Sequence, residues 1–110
     1  MSDQNAQPLY RVDRFVVPAP GRAEFLDRVR ATHAVLRRQP GFVRDAIVER
    51  EAEGGASMVV TIAEWESAAA IEAAGRAVAA AHAADGFDRR ALIARLGIAA
   101  EIGTYRELAL

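Results

Sequence analysis

VVTIAEWESAAAIEAAGRAVAAAHAADGF, residues 59–87, changes its chemistry partway along. Up to Trp65 it is rich in apolar and β-branched residues, which suit a strand. After Ser67 it is dominated by alanine, the best helix former. The reading is a strand over SMVVTIAEW, Ser67 as the N-cap, and a helix from Ala68 to about Ala84. Trp65, the only tryptophan, stands where strand gives way to helix, and His82, one of two histidines, lies along that helix. With about 100° between successive residues, Ile71, Gly75, Val78 and His82 cluster within roughly a third of the helix circumference. That stripe is expected to face the sheet.

On the N-terminal side, LYRVDRFVV (Leu9 to Val17) alternates as a first strand. Tyr10, Val12 and Val16 fall on one side, and Arg11, Asp13, Phe15 and Val17 on the other. Pro18 to Gly21 break it. From Arg22 to Gln39 the residues Phe25, Leu26, Val29 and Leu36 recur at helical spacing, and Pro40-Gly41 stop that helix. FVRDAIVERE reads as a second strand, turned by the glycines of EGG into the third. Beyond residue 87, a short helix ends at Gly97. IAAEIGTYREL reads as a fourth strand, with Ile98, Ala100 and Ile102 on one side and Glu101 and Tyr105 on the other.

The resulting order predicts an α+β, ferredoxin-like βαββαβ fold: a four-stranded antiparallel sheet with both long helices on one face. Apolar content on the bare face predicts a face-to-face homodimer. A chain of 110 residues suits one domain, placed at 9–110 after a flexible tail of residues 1–8. A net charge of −1 supplies no basic field for nucleic acid or for an anionic membrane. All fourteen cations are arginine, and there is no cysteine for a disulfide, a thiolate nucleophile or a sulfur-ligated metal. The polar N-terminus resembles no signal peptide, and no apolar run reaches the roughly 20 residues of a membrane span, so a cytoplasmic location is expected. Phosphate loops of the GxGxxG or Walker type, HExxH and GxSxG are all missing.

RFVVPAPGRAEFLDRV, QPGFVRDAIVERE and VVTIAEWESAAAIEAA together resemble, in order and spacing, the antibiotic biosynthesis monooxygenase-like family of dimeric α+β barrels, over roughly residues 10 to 84. The resemblance implies a homodimer whose sheets close into a barrel, with a small-molecule pocket between sheet and helices in each subunit. Its studied members oxygenate anthrones, quinols and related phenols with O2, using neither metal nor flavin. The partner implied is a small aromatic or quinol-like molecule, and the cofactor expectation is none. A sister branch binds and degrades haem, and the alternatives to an oxygenase are a non-catalytic small-ligand-binding dimeric barrel or a haem-binding relative.

Trp65 matches the family's motif tryptophan. Either it walls the cleft, with its indole N–H free to donate to a substrate oxygen, or it plugs the core. His82 is either a buried, neutral general base or a core histidine satisfied by a neighbour. Gly75 leaves room either for a ligand or for close helix–sheet approach. Thr61 stands where the quinone-forming members offer an asparagine, and its hydroxyl is a candidate donor to a substrate carbonyl. Asp13 occupies the first-strand position at which the haem-degrading branch has asparagine. An inward Asp13 would need a partner such as Arg76 or Arg106. His33 flanks the stripe of the first helix and is able to share a cavity with His82, and Tyr105 is placed either in the pocket or at the dimer seam. The two histidines with Asp13 or Glu101 form no recognised metal-ligand spacing, so no metal site is expected. For the haem branch, only His82 matches an axial ligand, and the second helix carries no tryptophan.

Overall fold

The computed structural model describes residues 7–110. Of the expected tail, residues 1–6 lie outside the described residues, and Gln7 and Pro8 lead directly into the first strand. The strands are β1 (Leu9–Val17), β2 (Phe42–Glu51), β3 (Ser57–Trp65) and β4 (Ala99–Arg106). The helices are α1 (Arg22–Leu36), α2 (Ala68–Asp85) and α3 (Arg89–Leu96). One antiparallel sheet holds the strands in the order β2-β3-β1-β4. This is the expected ferredoxin-like arrangement.

Local chemistry sets most boundaries. The Ser67 hydroxyl accepts from the Ala70 N–H and opens α2, and Asp88 does the same for Ala91 at α3. Gly86 and Gly97 take left-handed conformations that close α2 and α3. The first helix ends earlier than its sequence spacing suggested. After Leu36 the chain tightens, with Arg38 and Gln39 N–H donating to the carbonyls three residues back, and the Gln39 side chain covers the Val35 carbonyl. At Gly41 the backbone φ is +85°, and an added Cβ would lie 2.5 Å from that of Ala70. The Gly41 carbonyl accepts from the Glu66 N–H at 2.9 Å, which ties the α1–β2 turn to the start of α2.

Burial follows a period of two on β3, where Val59, Thr61, Ala63 and Trp65 are buried and their neighbours are not. The register aligns Phe15 with Val59, Asp13 with Thr61 and Arg11 with Ala63 on this helix-covered face. The interior is divided in two. Phe15, Val17, Phe25, Val29, Val59, Leu92 and Ile98 form one apolar cluster, and Ala63, Trp65 and Ala74 form the other. Between them the sheet row carries Asp13 and Thr61.

The opposite face presents Tyr10, Val12 and Val16 of β1, Met58, Val60 and Ile62 of β3, and Val48 of β2, with no helix over it among the described residues. Val48 is 48% exposed. Tyr105 lies on this face as well, in register with Tyr10, and its ring rests against Gly103, where an added Cβ would meet it at 2.9 Å. The placement of Tyr105 in the pocket is therefore corrected. Ile102 faces the helices, and a residue three positions further along a regular strand faces the other way.

Gly41→Ala combines a left-handed backbone with a clash against Ala70. The substitution should lower stability by about 1–3 kcal/mol, read as a shifted urea midpoint with an unchanged m-value.

Candidate functional site

The gap between the two apolar clusters is a cavity of about 240 Å³. Trp65 and Leu36 close one end, Gly75, Val78 and His82 of α2 form one wall, and Asp13 and Thr61 form the floor. A smaller lobe of about 80 Å³ continues toward Phe15 and Phe87 and shares Asp13, Thr32, His33, Thr61, His82 and Arg89 with the first. Trp65, His82, Thr61, Asp13, His33 and Gly75 thus meet in one hollow, and Tyr105 does not.

The hollow exists because α2 presents small residues. Ala74 is its only buried position among the described residues, and a Cβ built on Gly75 meets nothing within 4 Å. Trp65 is 2% exposed and packs edge-on against Phe42 at 5.4 Å, so it is both a core residue and a wall of the cavity. His82 is half-buried. Its Nε2 lies 3.3 Å from the Thr32 hydroxyl, and its ring meets Phe87 edge-on at 4.9 Å. Burial, reinforced by the positive charges of Arg28 and Arg89, holds the His82 imidazole below its ordinary pKa and leaves it neutral at pH 7.

Asp13 points toward the helices, and its charged neighbours are Arg11, at 3.6 Å, and Arg89; neither Arg76 nor Arg106 pairs with it. Arg11 Nε and Asp13 Oδ1 are both buried without a hydrogen-bond partner. Burial pushes the Asp13 carboxyl above its ordinary value, against the opposing pull of Arg11 and Arg89. His33 is buried and bonds through Nδ1 to the Asp45 carboxylate at 2.8 Å. Glu101, the alternative carboxylate to Asp13 for a metal, lies on the opposite face beside Arg14. Among the described residues no cluster of three or more His, Cys, Asp or Glu is arranged to hold a metal, and no helix is long and apolar enough to cross a membrane.

Sequence reasoning missed Asp45, Thr32 and Arg89. A bulge between Phe42 and Arg44 reverses the parity of β2, so that Phe42 and Asp45 both face the helices. No residue pattern announces that reversal. Thr32 was findable as the neighbour of His33 on α1. Arg89 was hidden because only tertiary packing brings α3 to the cavity.

The Antibiotic biosynthesis monooxygenase family model matches residues 8–86. SnoaB, a cofactor-independent oxygenase from Streptomyces nogalater solved as an asparagine-to-alanine variant, is 34% identical, with 96% of this chain and 97% of that one covered and a TM-score of 0.66. An arginine-to-serine variant of MhuD, with two manganese protoporphyrin IX molecules bound per active site, is 25% identical over 93% of this chain and 95% of its own, with a TM-score of 0.62. A Shewanella loihica PV-4 protein shares the fold at 20% identity, with coverage of 96% and 98% and a TM-score of 0.71. No curated protein sequence matches the chain.

The raised Asp13 carboxyl has a stability signature. Because the folded state favours its protonated form, stability falls as pH rises from the unfolded value near 3.9 through the higher folded value. Asp13→Asn should therefore raise the urea midpoint at pH 7 and leave it unchanged at pH 3.

Proposed function

Because the chain belongs to the antibiotic biosynthesis monooxygenase family, we propose that it oxidises a small planar phenol, quinol or polyketide-type ring with O2, without metal or flavin, in the cavity between the sheet and its helices. The observation carrying this reading is the single hollow onto which Trp65, His82, Thr61 and Asp13 all open. The 34% identity to a cofactor-independent oxygenase over nearly the whole of both chains supports it.

In this mechanism the neutral His82 imidazole takes a proton from the substrate. Thr61 donates to the substrate oxygen, and the positive charges of Arg11 and Arg89 stabilise the developing anion, which is stronger in a site that excludes water. Trp65, Ile71 and Val78 supply the apolar walls. His33 and Gly75 complete the binding surface, His33 through a ring nitrogen and Gly75 by leaving space. The electron-rich anion then reduces O2 directly.

Haem fits this arrangement poorly. The buried Asp13 carboxyl, whose Oδ1 has no hydrogen-bond partner, would face the anionic macrocycle. The likeness to MhuD is therefore read as a likeness of fold.

The protein is further proposed to work as a cytoplasmic homodimer, one domain per subunit over residues 9–110, paired through the uncovered sheet face. Val12, Val16, Met58, Val60 and Ile62 give that face its apolar content, with Arg14 and its partner Glu101 among them. Ile62→Glu should convert the dimer to monomer, read as a halved mass in light scattering; a wild-type protein that is already monomeric would remove the dimer.

His82→Ala should lower the rate of O2 consumption with anthrone-type or quinol-type substrates by about 10²–10⁴-fold while the protein stays folded. Since the active form of His82 is neutral and its pKa is lowered, wild-type activity should persist down to a midpoint below the ordinary imidazole value of about 6.5. Undiminished turnover in His82→Ala would remove that residue from the mechanism.

A further inference from the structure

The histidine on α1 is held differently from the one on α2. His33 Nδ1 lies 2.8 Å from Asp45 Oδ2, and the same carboxylate takes a two-pronged grip from Arg37, Nε to Oδ2 at 3.0 Å and Nη2 to Oδ1 at 3.2 Å. The His33 and Asp45 side chains are 7% and 10% exposed, whereas Arg37 reaches the surface. Burial opposes ionisation of Asp45, but hydrogen bonds from His33 and Arg37 outweigh it and hold the carboxyl below its usual range. An ionised carboxylate only accepts hydrogen bonds, so the ring proton of a neutral His33 must sit on Nδ1. Nε2 is then a bare lone pair. It has no protein partner among the described residues, on a ring that lines both lobes of the cavity. A histidine serving only as a core strut needs no unpaired nitrogen in a hollow.

We infer that His33 is a second proton-transfer residue of this cavity, with Asp45 and Arg37 as its positioning residues, and that it acts in the step forming the product carbonyl. This rests on the oxygenase reading above. For a substrate with an acidic ring methylene, His82 removes the first proton, and the carbanion forms a C–O bond to O2, giving a peroxide anion that recovers that proton. The carbon still carries one hydrogen, and oxygen now occupies the direction of the first attack. His33, approaching from the α1 wall, takes this second proton through Nε2. The C–H electron pair becomes the C=O bond, the O–O bond breaks, and hydroxide leaves, accepting the proton from His33 to become water. Substrate carbon is oxidised, O2 is reduced, and both imidazoles return to their starting state.

The test uses the full chain with anthrone as probe, measuring O2 consumed, quinone formed and peroxide released. Wild type should give about one quinone per O2. His33→Gln should lower quinone per O2 by about tenfold, below the usual range of about 10²–10⁴ for general acid–base catalysis, with peroxide making up the difference. The near-isosteric Asp45→Asn, whose amide can donate and so favour the wrong tautomer, should shift the product ratio the same way. In ¹⁵N spectra, the neutral His33 ring of the wild type should carry its proton on Nδ1. An unchanged product ratio in both variants, or a neutral wild-type ring with its proton on Nε2, would overturn the assignment of His33. Absence of O2 uptake by wild type with every phenolic and quinol substrate would instead overturn the oxygenase reading, and this assignment with it.

Discussion

A carboxylate and a hydroxyl side by side on the covered face of a sheet keep this interior from closing. Asp13 and Thr61 are cross-strand partners at the middle of β1 and β3, with apolar clusters toward either end of the two strands. Packing hydrocarbon over an ionised carboxyl without donors costs several kcal/mol, so close apolar packing is confined to the two ends. The helices repeat the division. Phe25 and Val29 of α1 join one cluster, Leu36 packs on the other, and His33 lies between. On α2, Ala70, Ile71 and Ala74 belong to the tryptophan end, and His82 sits by the gap.

The charge arrangement keeps that gap tolerable. Arg11 and Arg89 act on Asp13, Arg37 on Asp45, and Arg28 and Arg89 on His82. Arginine suits these positions because its guanidinium stays charged and is less strongly hydrated than an ammonium group. The consequences differ in sign. Burial raises the Asp13 carboxyl, the fork from Arg37 helps to lower that of Asp45, and His82 is kept neutral. Asp13, Asp45 and His82 are thus pushed in different directions, which is how one region can hold both a proton acceptor and a fixed charge.

Fold and reaction stand on different footings. The family match and the sheet order establish the scaffold, and scaffolds of this kind host more than one chemistry. The chemistry of this cavity rests on Thr61 and Asp13, side by side on the sheet, and on the α1 imidazole of His33 held by Asp45 of β2.

Much of the architecture was legible in the residues themselves. β1, β2 and β3 run over the stretches read as strands, Ser67 caps α2, and the stripe of Ile71, Gly75, Val78 and His82 lines one wall. Those features depend on period, propensity and capping, all of which act over a few residues. The alternation that put Ile102 and Tyr105 on opposite sides of β4 already excluded one of them from the cavity. The pairing of His33 with Asp45, the approach of Arg89 to Asp13, and the hydroxyl of Thr32 at His82 belonged to tertiary structure alone. They depend on a one-residue bulge that reverses a strand's parity and on helices packed from distant parts of the chain. Local sequence determines which face a side chain takes on its own element; only the packed fold decides which other side chain waits there.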